Sequence, residues 1–288
     1  WAELSFARAR VFGVRGRTAE ARRAIEALLV EARAPLAPGL EGAVLVELGA
    51  LHHAEREVER ARVAYERAAA ILSDLDEDSL PRARCLANLA LLDYDQGDID
   101  SAIARYEEAV LAMDAFDDVR RLSLMLNNLA VLDQDRGRHE VARARFARAL
   151  SLLDERTHGV APAYVLGNAG LLSLERGLAV EAQESFERAH RIVVTHGEIH
   201  EEAHCLGRMA AALALLGRWS EAALRRSEAE ALAARLDAAT QEVVRLHGAV
   251  VDAALAERAE REGEVAEARR LADAALREVA RVTAPGAS

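Results

Sequence analysis

The sequence predicts an all-α solenoid of about seven helix-turn-helix units, on three observations. Glycine recurs at Gly97, Gly137, Gly177 and Gly217, each 40 residues after the last. Asparagine keeps the same beat at Asn88, Asn128 and Asn168, in the frames Leu86-Ala-Asn88-Leu-Ala, Leu126-Asn-Asn128-Leu-Ala and Leu166-Gly-Asn168-Ala-Gly. Small and bulky residues hold fixed offsets from each glycine: Ala90, Ala130, Gly170 and Ala210 before it, Ala102, Ala142, Ala182 and Ala222 after it, then Tyr106, Phe146, Phe186 and Arg226. Self-similarity at a fixed period is the signature of stacked units that bury a core only together.

The units follow in order. In 1–40, Gly16 is the turn, with Ala9 before it and Ala21, Ile25 and Leu28 after it. In 41–80, Arg56 takes the turn position, with Gly49, Ala61, Tyr65 and Ala68 in register. Unit 81–121 shows the local logic best. Pro81 suits a first helical turn, and Leu86, Leu89, Ala90 and Leu92 share one face at helical spacing. Gly97 permits a left-handed cap, and Asp98 or Asp100 can cap the helix that follows. The aromatic at Tyr106 is expected to fill the gap between neighbouring units. Units 122–161, 162–201 and 202–241 repeat this plan, Pro162 again opening a helix. The last unit, 242–281, turns at Gly263, 46 residues after Gly217 where the earlier intervals are 40 or 41. The extra residues either lengthen a helix or form a loop. Its final helix carries Glu264, Glu267, Arg269, Arg270, Asp273 and Arg277 and reads as a polar cap. Residues 282–288 read as a disordered tail or linker.

Composition bounds the function. Hydrophobic residues make up 51% with only 4% aromatics, which suits alanine- and leucine-rich helix packing. A net charge of −11 argues against nucleic-acid binding. Cys85 and Cys205 hold one frame position three units apart, too far for a disulfide. No apolar run approaches a membrane span and no signal peptide is present, so a cytoplasmic setting is expected. The chain opens on Trp1 within a helical pattern and without methionine, as a fragment of a larger protein would. Trp1, Phe6, Val11 and Phe12 then form an apolar leading edge.

The chain resembles tetratricopeptide repeats of the long, roughly 40-residue type, as in kinesin light chains, the Pins/LGN polarity adaptors, bacterial peptide-sensing regulators and sensor arms of large ATPase-type activators. Leu126-Asn-Asn128-Leu-Ala is similar to the light-chain motif, and the resemblance covers about residues 4–281. It departs from the family where an aromatic usually stands four residues before the turn: Asp93, Asp133, Ser173 and Leu213 stand there.

The resemblance implies a right-handed superhelix whose first helices line a concave groove. Asn88, Asn128 and Asn168 then lie near the groove, and Arg208 continues the row. An amide offers both donor and acceptor, so it can grip a ligand backbone; it can equally bridge adjacent units. Register adds Arg84, Leu91, Tyr94 and Asp95, then Asn127, Val131, Gln134 and Asp135, then Tyr164, Leu171 and Glu175, then His204. Small residues at Ala87, Gly167, Gly207 and Ala211 would leave room for a chain to enter. Asp95, Asp135 and Glu175 would select basic side chains, and Arg208 an acidic group or carboxyl terminus.

His196, His200 and His204 are spaced by four, but Gly197 interrupts them, and no metal site or cofactor is expected. The adjacent His52 and His53 point to different faces and make no site. No phosphate loop, nucleophile elbow or zinc-protease helix is present. The pairs Asp93-x-Asp95 and Asp133-x-Asp135 repeat with the unit, which suggests surface chemistry and not catalysis. Three readings follow: a non-catalytic peptide- or protein-binding module; a sensor arm of a multidomain bacterial regulator, restraining an upstream domain of the same chain; or a scaffold self-associating through Trp1, Phe6 and Phe12.

Overall fold

The structure is a computed structural model that describes residues 2–15, 17–31, 35–75 and 79–283. Among these residues there are fourteen α-helices and no strand. They fall into two compact units, residues 1–138 and 139–288. The first holds α1 (Ala2–Val14), α2 (Thr18–Glu31), α3 (Pro38–Ala54), α4 (Val58–Ser73), α5 (Leu80–Asp95), α6 (Ile99–Asp114) and α7 (Val119–Asp135). The second holds α8 (His139–Leu152), α9 (Ala161–Glu175), α10 (Ala179–His196), α11 (Ile199–Leu215), α12 (Trp219–Ala233), α13 (Ala238–Arg261) and α14 (Val265–Thr283). Consecutive helices pack as antiparallel pairs, α3 on α4 and α5 on α6 in the first unit, α9 on α10, α11 on α12 and α13 on α14 in the second.

Local chemistry sets the helix ends. Ser79, Asp98, Asp118 and Asp237 each accept a bond from a backbone N–H three residues on, satisfying donors that a helix start leaves orphaned. At the turn, Asp98 N–H donates to the Asp93 carbonyl at 2.9 Å across Gly97, whose φ is +82°. The same closure recurs around Gly137, Gly177, Gly217 and Gly263. Arg56 adopts the same left-handed conformation at φ +63°, the only non-glycine residue to do so among the described residues.

Packing explains the fixed offsets. A Cβ on Gly49 would collide with the Tyr65 ring, and one on Gly170 with the Phe186 ring. The aromatic therefore seats on the small residue of its own helix pair. It also fills the gap to the next unit, as expected: Tyr65 clusters with Cys85, Leu89 and Leu92 of α5, and Phe186 with Met209 and Ala212 of α11. Where Arg226 replaces the aromatic, its Nη1 lies 2.6 Å from Asp252 on α13 and its Nε donates to Glu230 at 2.8 Å. A charged pair thus ties α12 to α13.

Two of the four residues that stand four before the turn glycine, Asp93 and Asp133, are buried carboxylates. Asp93 is 5% exposed and paired with Arg62 of α4 at 2.9 Å and Arg105 of α6 at 2.7 Å. Asp133 is fully buried, with Arg138 Nη2 2.6 Å away. The Asp-x-Asp pairs are therefore split, one carboxylate inward and one outward, because residues two apart on a helix face different ways.

The extra residues of the last repeat lengthen a helix: α13 runs for 24 residues. The segment expected to be disordered from 282 begins inside α14, which extends through Thr283; residues 284–288, Trp1 and Gly16 lie outside the described residues. Phe6 and Phe12 are half-buried against the cluster of Ala9, Ile25 and Leu28, and Arg8 and Arg17 stack over the Phe12 ring. Val11 is 50% exposed.

Candidate functional site

In the first unit, the position nine residues before the turn is held by Glu47, Asn88 and Asn128 on α3, α5 and α7. Their environments differ. Glu47 accepts from Arg84 at 3.0 Å, which occupies the cation expected on the ligand face. Asn88 is half-exposed and makes no hydrogen bond to another described residue. Asn128 Nδ2 donates to the Tyr106 hydroxyl at 3.0 Å, and its Oδ1 accepts from Asn127 at 3.1 Å. Asn127 itself is only 5% exposed, so it sits behind the face and not on it. At Asn128 the amide joins α6 to α7.

The outward acidic residues form a ladder. Tyr94 Oη donates to Asp135 at 3.1 Å, and His53 Nε2 lies 3.5 Å from Asp95. In both, the residue three before one turn meets the residue two before the next. Burial, and then the Asp135 charge, push the Tyr94 phenol above its ordinary pKa. Leu91, Val131 and Gln134 are half-buried between these polar residues.

In the second unit, Tyr164 is 38% exposed and Asn168 half-exposed on α9. Glu175 lies 3.4 Å from His139, and Leu171 packs on the cluster of Ala182, Phe186 and Met209. The space expected at two glycines is already taken. The Arg208 guanidinium sits where a Cβ of Gly167 would be, and His247 Nδ1 lies 3.0 Å from the Cβ position of Gly207. Arg208 is largely buried, which pulls its pKa below the ordinary arginine value. Burial, with Arg208 and His204 nearby, pushes His247 down to about 3. His204 is half-buried, with Nδ1 3.7 Å from Glu201.

His200 and His204 do not converge on a common ligand. His200 Nδ1 is 2.9 Å from Thr240 Oγ1 and 3.0 Å from Asp237. His52, by contrast, does join a cluster, with Glu55 and Glu57, their ligand atoms all within 4.8 Å. The Arg22 guanidinium lies 2.7 Å from Glu55 and 3.6 Å from Glu57, so a cation from the protein already serves these carboxylates. Sequence reasoning missed Arg22, Tyr106 and His247 as partners because each reaches its site from another helix.

No described helix is long and apolar enough to cross a membrane. Residues 40–113 match the tetratricopeptide repeat family model. A search of curated proteins finds no match. Among solved structures, the chain is similar to BtubC from P. vanneervenii at 19% identity and a TM-score of 0.60, covering 81% of this chain and 89% of that one. It is similar to a Rap protein complexed with Competence and Sporulation Factor at 16% identity and a TM-score of 0.62, covering 96% and 87%. It is also similar to a Signal Transduction ATPase with Numerous Domains protein from Pyrococcus horikoshii that carries a tetratricopeptide repeat sensor. There the identity is 14% and the TM-score 0.70, over 96% of this chain and 41% of that one. Residues 40–113 thus match tetratricopeptide repeats, and the chain as a whole has an all-α helix-pair repeat fold.

Proposed function

We propose that this tetratricopeptide-repeat chain is a non-catalytic binding module whose first-helix faces take an extended peptide or partner segment. The observation that carries the reading is Asn88. Its amide is half-exposed and has no partner among the described residues, while Leu91, Tyr94 and Asp95 continue the same helix. An amide left in that state offers one acceptor and two donors to a peptide backbone. Asp95 and Asp135 each hold one internal contact and keep further lone pairs for a basic side chain. In the second unit, Asn168, Tyr164 and Arg208 present the corresponding face. The similar Rap protein, solved with Competence and Sporulation Factor, supports this use of the fold.

Selection from a random-sequence peptide library, followed by titration of the recovered peptides, tests the reading. Asn88→Ala is expected to weaken binding about tenfold, which is about 1.4 kcal/mol. Recovered peptides that bind wild type and Asn88→Ala equally, or a library that yields none, would overturn it.

A second reading is favoured by the likeness to a sensor-bearing signalling ATPase over 96% of this chain. On that reading the chain is a regulatory arm that restrains a neighbouring domain, and ligand binding releases it. Fusing the chain to the catalytic or DNA-binding domain it accompanies, and assaying with and without a selected peptide, distinguishes the two.

A further inference from the structure

Three polar atoms in the second unit are buried with no hydrogen-bond partner and belong to one neighbourhood: Arg208 Nε and His204 Nε2 on α11, and His247 Nδ1 on α13. The backbone fixes their positions. Glycine at 167 lets the Arg208 guanidinium lie against α9, and glycine at 207 lets His247 lie against α11. Arg208 and His204 are each half-buried, so the cluster borders solvent although its three unpartnered atoms are covered.

The charges around the cluster are few. From α11, Glu201 faces both His204 and Arg208, with His200 acting on Glu201. Cys205 adds no charge, since burial pushes its thiol up to about 11. From α13 the facing group is His247, and α9 presents Gly167. One carboxylate thus stands against a guanidinium and two imidazoles. Burying a guanidinium N–H without an acceptor is costly. An oxyanion has lone pairs enough to satisfy Nε and both rings together, in the short charge-assisted bonds that arginine makes best.

We propose that Arg208, His204 and His247 form an oxyanion site in the second unit. An anion there accepts from the guanidinium and from a ring N–H of each imidazole. The inference rests on the binding-module reading for the segment that delivers the oxyanion, a carboxylate or a phosphorylated side chain of a bound peptide.

The test uses small anions and no peptide, so it fails or succeeds independently of that reading. Histidine ring nitrogens of the full chain are followed by NMR while acetate or inorganic phosphate is added at about pH 7. His204 and His247 are expected to shift saturably with either probe. Tighter acetate binding would mark a carboxylate source and tighter phosphate binding a phosphorylated one; both support the site. Arg208→Met, shown folded by circular dichroism, is expected to abolish saturation. The proposal is overturned if His204 and His247 move no more than His53 and His139, a comparison that needs no variant, or if saturation survives in Arg208→Met.

Discussion

The two compact units each bury polar side chains between helices, and they satisfy them differently. In the first, Asp93 sits between Arg62 and Arg105, and Glu47 receives Arg84. In the second, Arg226 is paired with Asp252, but Arg208 and a His247 held neutral lie over glycines with no partner at Arg208 Nε or His247 Nδ1. A paired buried charge holds helices together and is costly to break. An unpaired one is a liability to the fold that a ligand can relieve. The first cluster ties helices together; the second leaves the donors that the proposed oxyanion site would use.

The largest test of this contrast is Asp93→Ala. It strands two arginines around a nearly buried position and should cost about 3–5 kcal/mol in urea unfolding. A cost below about 1 kcal/mol would show that the pair contributes no more than a surface bridge. Next is pH. His247 is held down to about 3 in the folded chain, so the unfolded chain binds its proton first. Stability is then full above the ordinary histidine range and declines as pH falls through it, by on the order of a few kcal/mol in total. His247→Phe should flatten that decline in thermal melts taken across acidic pH. A wild-type profile that is flat over the same range would remove the contrast at His247.

Smaller effects sharpen the comparison. Gly170→Ala drives a Cβ into the Phe186 ring and should cost about 1–3 kcal/mol by overpacking. Arg208→Met should be neutral or stabilising by about 1 kcal/mol, opposite in sign to Asp93→Ala, because it removes an unsatisfied buried donor and keeps an apolar stem. Arg56→Gly should stabilise by about 1 kcal/mol, since a left-handed residue with a Cβ is strained where glycine is not. Chemical denaturation midpoints measure all three.

The turns, caps and helix pairs were legible in the sequence because they are local. A glycine at fixed spacing means a left-handed closure, and an aspartate after it means a cap. The candidate face was legible only as a register. Asn88 and Asn128 are equivalent in sequence, yet among the described residues one has no partner and the other bonds Tyr106. Nothing within five residues of either reveals the difference. Asn127 read as a lining residue and is buried, because the neighbouring position on the helix turns behind the face.

The sequence by itself determined the helix-pair repeat, its period and the residues that end each helix, since these depend on backbone geometry within a few positions. Tertiary structure alone decided which polar residues answer one another. Arg22 meeting Glu55, Tyr94 meeting Asp135 and Arg208 filling the space over Gly167 each span thirty or more residues. Such contacts depend on the reach of long side chains between packed helices, which a repeat pattern does not encode.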